Sequence, residues 1–114
     1  MSHHAAPAIL TPRLTLGKVR ITTAAIAALE ATTTEGVLLL HRHLHGDWGD
    51  IPAQDALQND IALLLGMRVC SRHTLAQDIE IWIITEADRT MTTIMALDTG
   101  FARNSGSDRA TPGE

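Results

Sequence analysis

The chain has 114 residues, a formal net charge of −4 and one lysine, Lys18. That length fits a single domain. The charge excludes broad, sequence-independent nucleic-acid binding, which needs a basic face to neutralise phosphates; a local arginine site stays open, and an acidic surface suits a basic protein partner. Cys70 is the only cysteine, so no internal disulfide can form; strand-like flanks suggest a buried free thiol. The longest apolar runs, residues 37–40 and 61–65, fall far short of the ~20 residues of a membrane span. The start of the chain lacks a basic-then-apolar signal pattern, and a cytoplasmic protein is expected.

Residues 1–13 have no clear period and read as a disordered tail, His3 and His4 included. Residues 14–21 alternate around Gly17 and predict a first strand, bent at the glycine. Thr22 or Thr23 can cap a helix over residues 24–31, with Ile26 and Leu29 inward. Thr32 followed by Glu35 has capping-box spacing for a second helix. In it Val37, Leu40, His41 and Leu44 share one face, and Gly46 ends it. A third helix runs from residue 53 to 65, with Leu57, Ile61 and Leu64 inward, Asn59 nearly opposite and Gly66 as C-cap.

The period then changes to two. Residues 67–75 and 79–86 predict strands joined by a tight turn at Ala76-Gln77-Asp78. Ile79, Ile81, Ile83 and Thr85 face one way; Glu80, Trp82, Ile84 and Glu86 face the other. A turn at Ala87-Asp88-Arg89 leads to a last strand over residues 92–97. The expected fold is α+β: one N-terminal strand, three helices, then a three-strand antiparallel meander with the helices on one sheet face. The domain spans residues 14–98, followed by a flexible tail over 99–114.

Both tryptophans lie in two polar motifs, Arg42-His43-Leu44-His45-Gly46-Asp47-Trp48-Gly49-Asp50 and Trp82-Ile83-Ile84-Thr85-Glu86-Ala87-Asp88-Arg89-Thr90-Met91-Thr92-Thr93. Polar groups beside apolar strand positions cost free energy unless paired. In the first motif, His41 and His45 are four apart and share a helix face, as weak candidates for metal ligands, with Asp47 or Asp50 as an added oxygen. The competing reading makes His41 a core histidine and leaves the protein without metal or other cofactor. Asp47 suits a turn that caps the loop, with Trp48 packed on the helices; the alternative is a binding lip anchored by Trp48. In the second motif, Glu86 or Asp88 can pair with Arg89, Arg42 or Arg72, while Arg89 with Thr92 and Thr93 can hold a phosphate or carboxylate. Either a fold-specifying network or a site follows. There is no phosphate-cradling glycine loop, C-x-x-C or nucleophile elbow, and Ser71 with His73 is too little for a triad.

The string His43-x-x-Gly46-Asp47-Trp48-Gly49, then Asp55, Asn59 and Ser71, then residues 82–89 with Thr92-Thr93, resembles a family of small bacterial proteins of plasmids, phages and integrated mobile elements. The resemblance covers roughly residues 14–97. It departs from the family pattern at His73, where an aromatic is usual, and at residues 95–98, where a proline usually closes the strand. The resemblance names no activity; the residues expected to matter are His43, Asp47, Trp48, Asn59, Glu86, Asp88 and Arg89, with Asn59 included because it is polar, faces away from the apolar stripe and matches the family pattern. The leading expectation is a non-enzymatic interaction protein of a mobile element. Its partner would be a host or plasmid protein, for instance a component of a defence or maintenance system. A metal-assisted hydrolase or nuclease built on His43, Asp47, Glu86 and Asp88 is the alternative. A RelE-type RNase toxin is a third reading by fold analogy alone, opposed by the acidic charge. Self-pairing of an exposed last strand would make a homodimer.

Overall fold

The computed structural model describes residues 12–98. The elements run β1 (Lys18–Ile21), α1 (Thr23–Ala31), α2 (Gly36–Leu44), α3 (Ala53–Leu65), β2 (Val69–Thr74), β3 (Ile79–Thr85) and β4 (Met91–Asp98). The tails expected at both ends lie outside the described residues, apart from Pro12 and Arg13. Arg13 already donates its N–H to the Leu44 carbonyl. Among the described residues no single helix is long and apolar enough to cross a membrane.

The α+β class holds, but the sheet is mixed and four-stranded, in the order β1-β4-β3-β2. β2, β3 and β4 pair antiparallel, and β1 adds in parallel to β4, with Val19 beside Thr92 and Ile21 beside Ile94. This corrects the expected three-strand sheet. It also removes the expected dimer edge, because β4 is an inner strand with partners on both sides. The open edge is β1, four residues long and exposed throughout. Gly17 makes the entry to β1 possible. Its φ is +66°, and a Cβ there would lie 2.4 Å from the Thr90 carbonyl carbon, a position no larger residue can share.

Thr22 caps α1 by accepting the Ala25 N–H at 3.1 Å. The expected capping box does not form. Thr32 instead ends α1, donating its hydroxyl to the Ala28 carbonyl at 2.8 Å, and Glu35 precedes α2 without a side-chain cap. Ala25, Ala28, Leu29 and Leu39 form the core with Ile81, Ile83 and Ile94. Ile81 and Ile83 share a sheet face, as the alternation in β3 predicts. Of the pair expected inward on α1, Leu29 is buried and Ile26 is exposed.

The other two helices are rotated from their expected faces. α2 buries Leu39 and His43, four residues apart, and leaves Val37 and His41 exposed. α3 buries Asn59 and Ala62 and leaves Leu57, Ile61 and Leu64 exposed. At ~100° per residue, these three lie roughly 140–200° round the helix from Asn59. The cause is the edge of β2. Asn59 donates Nδ2–H to the Cys70 carbonyl at 2.7 Å and accepts the Cys70 N–H at 3.1 Å, so one amide completes both hydrogen bonds of an edge peptide. Ala56 and Ala62, which pack with Trp48, Val69 and Leu14 in a second cluster, let the helix come this close. Further along the same edge, the Trp48 carbonyl accepts the Arg72 N–H and the Asp50 N–H donates to the Arg72 carbonyl. The Asp50 carboxylate then accepts the Thr74 N–H at 2.8 Å. An edge that would otherwise invite a foreign strand is therefore closed by the chain's own loop and helix.

Candidate functional site

The two motifs meet inside the protein, through a few of their residues. His43 on α2 is fully buried and touches β2 and β3. Its Nδ1 lies 2.7 Å from the Ser71 hydroxyl and its Nε2 2.9 Å from the Thr85 hydroxyl. Ser71 is also 3.2 Å from His73 Nε2, and Thr85 is 2.8 Å from the Thr92 hydroxyl. Thr92 donates to the Leu16 carbonyl at 2.7 Å.

Proton counting gives this chain a direction. A carbonyl only accepts, so the one Thr92 proton goes to Leu16. Thr92 then accepts from Thr85, whose own proton is spent, so Thr85 accepts from His43 Nε2–H. A neutral His43 protonated on Nε2 has a lone pair on Nδ1, which accepts from Ser71. Ser71 in turn accepts from His73 Nε2–H. Both histidines are thus neutral Nε2–H tautomers, and five hydrogen bonds run head to tail from His73 to Leu16. His73 Nδ1, buried without a protein partner, is the open end.

Electrostatics agree with this arrangement. Burial, with smaller contributions from His73 and Arg89, pushes His43 down to about 4. Burial also lowers His73, helped by Arg42 and opposed by Asp47 and Asp50. Neither ring is an effective base for an external substrate while it is closed in this way.

Trp48 is not a lip. It is buried, donates Nε1–H to Asp60 at 2.9 Å and sits edge-on to the His43 ring at 5.6 Å. Asp47 turns the loop: it accepts from Arg42 Nε at 2.8 Å and from the Gly49 N–H at 3.1 Å, and the Arg42 hydrogen bond holds its carboxyl below the usual range. Gly49 passes over His73 with φ +79°, and a Cβ there would stand 2.2 Å from the Arg72 carbonyl oxygen.

The pairings expected at the second motif do not form. Arg89 donates to the Met67 and Glu86 carbonyls at 2.8 and 3.0 Å, which supports its own left-handed φ of +61°. Asp88 is held low by the Thr90 hydroxyl and backbone N–H, on the turn between β3 and β4. Thr92 is consumed by the network, and Thr93 falls on the opposite sheet face, level with Arg20 and Ile84. Arg89, Thr92 and Thr93 therefore make no common anion site. His41 and His45 stack at 4.3 Å between ring centroids. Among the described residues no group of three His, Cys, Asp or Glu side chains could hold a metal ion. Of the hydrolase candidates, His43 is bonded to Ser71 and Thr85, Asp47 to Arg42 and Asp88 to Thr90, each with its own partners.

Trp82, by contrast, looks outward. It lies half-buried on the face of β3 opposite Ile81 and Ile83, level with Arg72 and Met95, and the Arg72 guanidinium is 5.9 Å from its ring centre. Its Nε1–H donates to Glu80 at 2.9 Å. Met95 and Leu97 are exposed on the same face. A cleft of about 230 Å³ runs beside it, with Asp55, Gln58 and Asn59 on one wall and Cys70, Arg72 and Trp82 on the other. Cys70 is half-buried there, and burial raises its thiol. Strand alternation had separated Trp82 from Ile81 and Ile83; its partners Arg72 and Met95 depend on strand register, which no local pattern reveals. Compared with family models, curated proteins and solved structures, the chain matches none.

Proposed function

We propose that this chain works by binding another protein and is not an enzyme. The observation that carries the reading is a division of labour between the two sheet faces. His43, Asp47, Thr85, Asp88, Arg89 and Thr92 are bonded to neighbouring side chains or backbone groups, whereas Trp82, Arg72, Met95 and Leu97 stand together on the sheet face opposite Ile81 and Ile83. Tryptophan, arginine and methionine are the side chains most enriched where partners bind. The acidic net charge favours a basic partner. The motif resemblance favours a role in a mobile genetic element, with a cytoplasmic host or plasmid protein as the partner.

The test is affinity capture from lysate with the wild-type chain, Met95→Glu and Ser71→Ala. The reading expects a specific protein retained by wild type and by folded Ser71→Ala, and lost with Met95→Glu. Capture of nothing above background, or capture indifferent to Met95→Glu, contradicts it.

A further inference from the structure

We infer that the outer face of α3 is a self-association surface, on which the helix pairs antiparallel with the same helix of a second copy. Leu57, Ile61, Leu64 and Leu65 follow the i, i+4, i+7, i+8 spacing of a packing stripe. They are 58, 41, 86 and 66% exposed, and Met67, 53% exposed, extends the stripe past the helix end. Such a stripe on a solvent-facing helix is costly unless something covers it.

Area and charge point to a second copy as the occupant. The five residues expose about 550 Å² per copy, so complete mutual burial removes at most roughly 1,100 Å², which reaches the ~1,000 Å² expected of a specific interface. The stripe carries no charge, so two copies of an acidic chain can meet there without like charges in contact. Asp60 is turned aside to hold the Trp48 indole, and Asp55 lines the Trp82 cleft. A two-fold axis near Ile61 sets Leu57 against Leu65 of the partner subunit, which makes the patch self-complementary. The chain's own core is small, and burial between copies adds the apolar area that a domain of this size lacks.

Sedimentation equilibrium of the full chain tests this. Wild type is expected to be a dimer in the micromolar range. Ile61→Lys and Leu64→Glu are each expected to weaken association about tenfold or more, while a cooperative circular-dichroism transition shows that the fold is kept. In a Cys70→Ser background, Ile61→Cys is expected to form an oxidised cross-linked dimer and Leu38→Cys, on exposed α2, is not. A wild-type chain that stays monomeric, a dimer that survives both charge substitutions, or cross-linking at Leu38→Cys in preference to Ile61→Cys overturns the inference. These substitutions leave the Trp82 face intact, so capture of a separate partner by the Ile61→Lys chain is scored independently of dimer formation.

Discussion

Replacing Ser71 by alanine removes one oxygen from the centre of the buried relay and leaves two groups without partners. The His43 Nδ1 lone pair loses its donor at 2.7 Å, and His73 Nε2–H loses its acceptor at 3.2 Å. Ser71 is fully buried, so water does not replace the hydroxyl without opening the structure. At about 1–3 kcal/mol for each orphaned buried group, with the longer bond at the low end, the expected loss is about 2–4 kcal/mol. That is a large part of a small domain's whole stability. At ~4–8 °C per kcal/mol for a domain of this size, the melting temperature should fall by roughly 8–32 °C. Urea and thermal unfolding followed by circular dichroism measure it. Thr85→Val orphans the other His43 nitrogen, so the double variant should deviate from additivity by about 0.5 kcal/mol or more. A Ser71→Ala loss below about 0.5 kcal/mol, the size of a surface substitution, refutes the relay.

Asn59→Asp keeps the acceptor for the Cys70 N–H but sets a carboxylate against the Cys70 carbonyl; it should cost about 2 kcal/mol or more and speed amide exchange at Cys70, and unchanged exchange contradicts the edge-closing role. Stability should fall on mild acidification. His43 titrates at about 4 in the folded chain against an ordinary 6.5, so the unfolded state binds the proton first. The stability is full above about 6.5, is lost as pH falls toward 4 and changes little below that from this group, a span of ~3 kcal/mol. His73, also lowered by burial, acts in the same direction. Asp47 and Asp88 are depressed carboxylates, whose contributions fade only as pH falls through the acid range below. Denaturant midpoints at a series of pH values check the slope, and a flat profile between 6.5 and 4 contradicts it.

What was legible in the sequence was local or strictly periodic. The alternation of Ile81, Ile83 and Thr85 against Glu80, Trp82 and Ile84 belongs to a strand whose two faces differ, so it showed which residues share a face. Gly66, at φ +68°, and Thr22 act at helix ends through their own backbone or side chain. The faces of α2 and α3 were not legible, because an apolar stripe says that a helix is amphipathic and not which side the rest of the chain covers. On α3 one amide bonded twice to an edge peptide, flanked by alanines, outweighs three leucine-sized side chains. On α2 the buried position belongs to His43, whose partners Ser71 and Thr85 lie 28 and 42 residues away. The parallel pairing of β1 with β4 is equally non-local. Of the residues expected to matter, His43, Trp48, Asn59 and Thr92 prove to be internal, Asp47 and Arg89 shape turns, and Asp88 caps one. The outward Trp82 with Arg72 and Met95 emerges only from strand register.

The motif histidines are closed, neutral links in a one-way hydrogen-bond chain. Long-range ¹H–¹⁵N NMR of the imidazole rings across a pH series tests it most directly. His43 and His73 are both expected to be Nε2–H tautomers at neutral pH, with His43 remaining neutral until about pH 4. An Nδ1–H tautomer at either ring, or a His43 that titrates freely near 6.5, would contradict it and return the motif to consideration as an open site.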